Sequence, residues 1–325
     1  MTDAAEKIEP EPEPSNVTPL SSAPAPKSFA ASILTFPRPT VTTELASAIQ
    51  RLETQLSMPV WMLVQTRGGG KLSSISEPLL QAFHSVRQEL PANGPIALLI
   101  DSPGGSARCA YQLAMLFRRH CGEFTAVIPR YAKSAATLLS LGASNIILGI
   151  DAELGPLDAQ FLDPDREMWS STLDEVQAFE RLHARALQAV DEAMFLLLPR
   201  TGKKVNTLLP LALDFVAATM RPLLERIDTV HYSQMARVLK VAEEYAARLL
   251  MPKYPQEEAT RIARHLVEHY PEHEFVIDHG EAESFGLQLQ TLDEDLSSTV
   301  EEIRDLLPGQ LLIGHLKEIP DDDTA

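Results

Sequence analysis

The chain has 325 residues, 45% of them hydrophobic, with 28 Lys and Arg against 45 Asp and Glu and a formal net charge of −17. That is apolar material enough for one large soluble domain or two modest ones. The acidic balance excludes the basic face that nucleic acid requires and works against attraction to an anionic membrane, and no apolar run reaches the length of a membrane span.

In chain order, residues 1–40 alternate Glu and Pro and then mix Ser, Ala and Pro without aliphatic periodicity, so a disordered tail is expected. The opening residues lack a basic region followed by an apolar core and do not read as a secretory leader. Leu45, Ile49, Leu52 and Leu56 recur at helical spacing over residues 43–56, and residues 60–65 read as a strand. The run from Arg67 to Lys71 is no phosphate loop, because the Walker spacing is missing and Leu72 stands where Ser or Thr should follow the lysine. Residues 75–90 read as helical.

Residues 96–100 form an unbroken apolar run, the pattern of a strand covered on both faces, and end at Asp101-Ser-Pro-Gly104-Gly105. A helix is predicted from Ser106 and carries both cysteines, Cys109 and Cys121. Along one helix they stand about 18 Å apart, beyond disulfide reach, which fits a reducing cytoplasm. A second strand-length run, 124–128, passes through Lys133 to Ser134, backed by Ala135, Ala136 and Thr137.

Adjacent glycines can aim backbone N–H groups at an oxyanion. A serine at the start of a small-residue helix stands open to a substrate, and the N–H that follows it can share the developing charge. Alone, each is more often a plain turn or helix cap. Their order within one βαβα segment points to acyl transfer, with Ser134 as nucleophile and Gly104, Gly105 and Ala135 as oxyanion donors, Gly105 preferred within the turn.

Residues 166–271 are almost wholly helical in pattern, over 173–198, 206–226, 232–250 and 257–270, punctuated by prolines. They could form an accessory layer, a lid or an oligomer contact. Gly286 fits a helix C-cap, residues 300–306 read as a short helix, and the Asp321-Asp-Asp323 end as a solvated tail.

Ile-Asp-Ser-Pro-Gly-Gly at 100–105, Ala-Lys-Ser-Ala-Ala-Thr at 132–137 and Glu-Leu-Gly-Pro-Leu-Asp-Ala-Gln at 153–160 resemble the signature of the serine dehydrogenase proteinase family. That family shares a fold class with the Clp protease proteolytic subunit, signal peptide peptidase A and the crotonases. The resemblance covers residues 95–161, with a weaker echo at 273–287. It implies an α/β fold, a ClpP/crotonase-like spiral of ββα units with an added helical region. The core would comprise 41–165 and 272–300, the helical insertion 166–271, and the remainder, 301–325, a C-terminal helix and acidic tail. It further implies a homo-oligomer that cleaves peptide or protein substrates without a cofactor, with the loop near residue 70 bordering the cleft.

A serine needs a base. The resemblance places a family histidine at His273, with Asp158 or Asp278 to orient it. Lys203 or Lys204 would instead make a serine–lysine dyad like that of the signal peptide peptidases. Lys133, next to the serine in an extended segment, is expected to face away. The Clp proteases take their histidine from just beyond the serine helix, where this chain has Asp158 and Gln160. Three other readings compete. His265-Leu-Val-Glu-His269 has the H-x-x-E-H zinc spacing, with Glu281 or Glu283 as a third ligand. A crotonase-type acyl-CoA enzyme would use the same paired N–H groups. A catalytically inactive member would serve as an oligomeric binding protein.

Overall fold

The computed structural model describes residues 29–33, 40–66, 68, 70–158, 160–163 and 168–318. Its first half runs β1 (Phe29–Ile33), β2 (Thr40–Val41), α1 (Thr43–Leu56), β3 (Val60–Val64), α2 (Glu77–Ser85), β4 (Ile96–Asp101), α3 (Ala107–Cys121), β5 (Phe124–Ile128), β6 (Tyr131–Ala132), α4 (Ala135–Leu141), β7 (Asn145–Leu148) and β8 (Glu153–Leu154). The second half adds the hairpin β9 (Gln160–Asp163) and β10 (Met168–Ser171), then α5 (Thr172–Thr201), α6 (Val205–Leu224), α7 (Thr229–Leu250) and α8 (Gln256–Glu268). It closes with α9 (His279–Ser284), α10 (Glu294–Leu306) and β11 (Leu312–Glu318).

The main sheet has the order β2-β1-β11-β3-β4-β5-β7, parallel from β3 to β7 and antiparallel around β11. Side chains alternate across it, and both faces are covered, which is why β3, β4 and β5 read as continuous apolar runs. Trp61, Leu63, Leu98 and Ile100 pack with α2, α3, α4, α7 and α8 on one face. Val60, Met62, Val64, Ala97 and Leu99 pack against α1 and α10 on the other. The chain is thus an α/β protein with a mostly parallel sheet.

Two expectations are corrected at the ends of the chain. Beyond α10 the chain does not trail off but inserts β11 between β1 and β3. Strand β1, within the stretch read as a disordered tail, pairs with β11. Strand β11 has no neighbour close in sequence, and β1 has only the two-residue β2 nearby, so local pattern could not announce them. Residues 1–28 and the Asp321-Asp-Asp323 end lie outside the described residues.

The helical region divides by what each helix touches. Helices α7 and α8 bury Leu239, Ala242, Ala246, Leu249, Ile262 and Leu266 in the same core as α3 and α4, so they form a layer on the sheet. Helices α5 and α6 make a hairpin with its own small cluster of Met194, Leu208 and Ala212. Outside that seam α6 exposes Leu211, Leu213 and Phe215. Among the described residues α6 is the one helix long and apolar enough to cross a membrane. Reading by unbroken runs missed it because Asp214 and Arg221 interrupt the pattern.

Candidate active site

Short backbone bridges bring the predicted site segments side by side. The continuation of β4 pairs with β6, the Ser102 N–H donating to Tyr131 O at 3.1 Å and the Lys133 N–H to Ser102 O at 3.0 Å. Strand β6 pairs in turn with β8, and Leu154 exchanges both backbone hydrogen bonds with Ile277 at 2.8 and 3.1 Å. The glycine turn, the serine turn, the Asp158 segment and the His273 segment are therefore fixed in one ladder. Thr137 locks the middle of it, its hydroxyl meeting the Ala132 and Gly155 carbonyls at 2.6 and 2.8 Å and accepting the Gly155 N–H at 3.1 Å.

The glycine turn is held from below. Gln65 is fully buried, donates through Nε2 to Leu72 O at 2.6 Å, and accepts the Ser102 hydroxyl at 2.6 Å. Ser102 Oγ in turn accepts the Gly104 N–H at 3.1 Å. The turn is also stitched to Ile75, whose N–H donates to Gly104 O and whose carbonyl accepts the Ser106 N–H, both at 2.7 Å. A Cβ on Gly105 would sit 2.3 Å from the Ile75 carbonyl oxygen at a φ of +145°, so only glycine fits. With the Gly104 N–H engaged, Gly105 is left as the donor that points outward. Neither its N–H nor that of Ala135 has a hydrogen-bond partner among the described residues.

Ser134 stands immediately before α4 with φ 50° and ψ −117°, a region that costs a non-glycine residue about 1 kcal/mol or more. The strained turn lifts its hydroxyl off the helix, and Oγ donates to the Asp158 carbonyl at a long 3.4 Å. Gly105, Ser134, Ala135, Leu138, Leu157 and Asp158 all line one cavity of about 410 Å³, completed by the start of α3 and by Arg237, Val238, Val241 and Ala242 of α7. At the end of β4, outside the cavity lining, the wholly buried Asp101 carboxylate meets Arg130 Nε at 2.8 Å, while its Oδ1 has no partner among the described residues. Burial pushes the Asp101 carboxyl up to about 6, against the opposing pull of Arg130.

The candidate bases separate by position. His273 Nδ1 lies 3.9 Å from Asp158 Oδ2, is buried, and makes no hydrogen bond among the described residues. No hydrogen bond joins it to Ser134. Lys133 turns away from the serine, its Nζ held by Glu153 at 2.9 Å and by the Leu154 and Phe275 carbonyls at 3.3 Å. Lys203 and Lys204 are exposed at the turn between α5 and α6, and neither lines the cavity. Asp278 is occupied as the N-cap of α9, accepting the Glu281 N–H at 2.8 Å. His265 and His269 stack at 4.2 Å, with His265 also against Phe285. Among the described residues no cluster of three His, Cys, Asp or Glu side chains is placed to hold a metal.

Residues 48–198, which carry both turns, match the family described as ClpP-like SDH-type serine proteinase. That segment belongs to the family its turns resemble. The chain is also 25% identical over 268 residues to the uncharacterized protein MJ1495 of Methanocaldococcus jannaschii, covering 82% of this chain and 72% of that protein. A second uncharacterized protein of the same organism, MJ0137, is 39% identical over 85 residues, 26% of this chain and 28% of its own length. The family match ends within α5, so α6, α7 and α8 lie beyond it. Sequence reasoning missed Gln65, Ser102, Thr137 and Ile75 as supports of the turns, and the wall supplied by α7. Gln65 and Ile75 carry no motif, Ser102 and Thr137 stand inside the quoted signatures with no role read for them, and the α7 residues look like any amphipathic helix.

Proposed function

We propose that the chain is a serine peptidase in which Ser134 attacks a peptide carbonyl and the Gly105 and Ala135 N–H groups hold the resulting oxyanion. The observation that carries this reading is a strained, cavity-lining serine flanked by two backbone N–H donors without partners among the described residues. His273, oriented by Asp158, is the base: it takes the Oγ proton as the oxygen–carbon bond forms and passes it to the leaving amine. Water then attacks the acyl-serine, giving one proton to His273, which returns it to Ser134 Oγ as the oxygen–carbon bond breaks and the acid product leaves. The chain works as a homo-oligomer in the cytoplasm, where Cys109 and Cys121, both buried, stay reduced. A neighbouring copy would cover the apolar residues that α6 exposes.

Fluorophosphonate labelling of the full chain beside Ser134→Ala, read by intact mass, tests the reading. One adduct that vanishes in the variant is expected, together with strong slowing in His273→Ala. An unlabelled wild-type chain that is folded and oligomeric would instead favour the inactive binding protein, since the present partner of Ser134 is a carbonyl and not a base.

A further inference from the structure

We propose that α7 builds a side-chain subsite beside Ser134, which makes the enzyme select peptides with a large aliphatic residue next to the scissile bond. The inference rests on the serine-peptidase reading and names its substrate class. Helix α7 turns Leu239, Ala242 and Ala246 into the core, yet leaves Val238 and Val241 at 42% and 46% exposure. Single exposed valines are ordinary. These two differ because they line, with the buried Leu138 and Leu157, the same cavity as Ser134 and both oxyanion donors.

A carbonyl held on Ser134 with its oxygen toward Gly105 and Ala135 has its neighbouring side chain inside that cavity. About 410 Å³ is room for a large side chain with part of its flanking backbone. Burying a branched aliphatic group against Leu138, Leu157, Val238 and Val241 removes apolar surface from water on both partners, whereas a methyl group leaves the wall wet. An acidic side chain would be desolvated there beside Asp158. The polar groups of the lining leave the aliphatic preference intact: Arg108 is already engaged by Glu77 and Gln112, and Arg237 donates to the carbonyl of Ser233 on its own helix. Because α7 lies beyond the segment that matches the family, the subsite is a feature of this chain's helical layer.

The test is the rate of adduct formation by the full-length protein with diphenyl aminoalkylphosphonates bearing leucine-, alanine- or aspartate-type side chains, beside ethyl and decyl fluorophosphonates. The leucine-type probe should react at least about tenfold faster than the other two phosphonates. Val241→Trp, which fills the cavity from an exposed helix position, should erase that preference by slowing the leucine-type probe far more than the alanine-type probe, with ethyl fluorophosphonate still giving an adduct at Ser134. Val238→Trp gives an independent check, with circular dichroism to confirm the fold. Equal phosphonate rates, or a preference that survives both variants, would overturn the subsite while leaving the nucleophile intact. Decyl fluorophosphonate outpacing ethyl fluorophosphonate by about tenfold or more, with no preference among the phosphonates, would also overturn it, in favour of a fatty-acyl pocket. Absence of any adduct with the ethyl probe would instead sink the serine reading itself.

Discussion

Ser102 neither lines the cavity nor touches a reacting atom, yet the geometry makes its hydroxyl the keystone of the glycine turn. Ser102→Ala removes the donor to Gln65 Oε1 and the acceptor of the Gly104 N–H, 2.6 and 3.1 Å away, in a place where Gln65 and Ser102 have no solvent exposure. Each buried group left unpaired costs about 1–3 kcal/mol, so the variant should lose about 3 kcal/mol in all. Gln65→Leu removes the amide and orphans the Leu72 carbonyl and the Ser102 hydroxyl. In the double variant the Gln65–Ser102 mismatch disappears, so the two losses should fall short of additive by about 1 kcal/mol or more. Urea denaturation with an unchanged slope would measure this, and fluorophosphonate labelling of Ser102→Ala should slow at least about tenfold as the Gly105 donor loosens. Strict additivity with an unchanged labelling rate would refute the relay.

Four further outcomes follow from the same geometry. Gly105→Ala forces a Cβ onto the Ile75 backbone at 2.3 Å and should cut labelling by about 10²–10³-fold, as loss of an oxyanion donor does, whereas a rate within twofold of wild type would place the hole elsewhere. Ser134→Gly should be more stable than Ser134→Ala by about 1 kcal/mol in thermal unfolding, because glycine accepts φ 50° without strain. Asp101 is raised from 3.8 to about 6 in the folded chain, so the folded state holds its proton through a window where the unfolded state has lost it. Stability from this group therefore falls as pH rises from 5 to 7.5, by about 1 kcal/mol, and the difference should vanish in Asp101→Asn denaturation curves taken at the two pH values. Asp158→Asn keeps the carbonyl beside Ser134 but removes the carboxylate facing His273, and should slow labelling by about 10²-fold or more with a shifted pH profile, while a lysine base would leave both unchanged.

The central αβ segment was legible because its physics is local. An apolar run covered on both faces, a glycine pair and a small-residue helix each announce themselves within a few residues, and β4, β5, α3 and α4 stand where those signals put them. The four helical segments were legible too, since their periodicity is strong, although Pro199, Pro210 and Pro222, read as punctuation, lie inside α5 and α6. What escaped was everything fixed at long range. Strand β11 owes its place to partners about 250 and 280 residues earlier in sequence, and its own run includes Gly314, His315 and Lys317. Gln65 reads as the polar end of a strand until Ser102 is seen beneath it. The exposed valines of α7 read as scattered surface residues until the fold sets them across from Ser134.

The question of the base narrows to Asp158, because that residue meets both candidate members of the proton path. Its carbonyl accepts the Ser134 hydroxyl at 3.4 Å and its carboxylate faces His273 Nδ1 at 3.9 Å. Both contacts are longer than a strong hydrogen bond, the looseness common in a site without substrate. The lysines have no comparable link: Lys133 is spent tying the serine turn to Glu153 and Phe275, and Lys203 and Lys204 cap the far turn of the α5–α6 hairpin. The segment carrying Asp158 is anchored, since Leu157 beside it lines the cavity and donates its N–H to the Leu266 carbonyl of α8 at 2.9 Å. A side chain filling the pocket against Leu157 would therefore meet the anchored neighbour of Asp158, so the proposed subsite and the proposed proton path share one held segment.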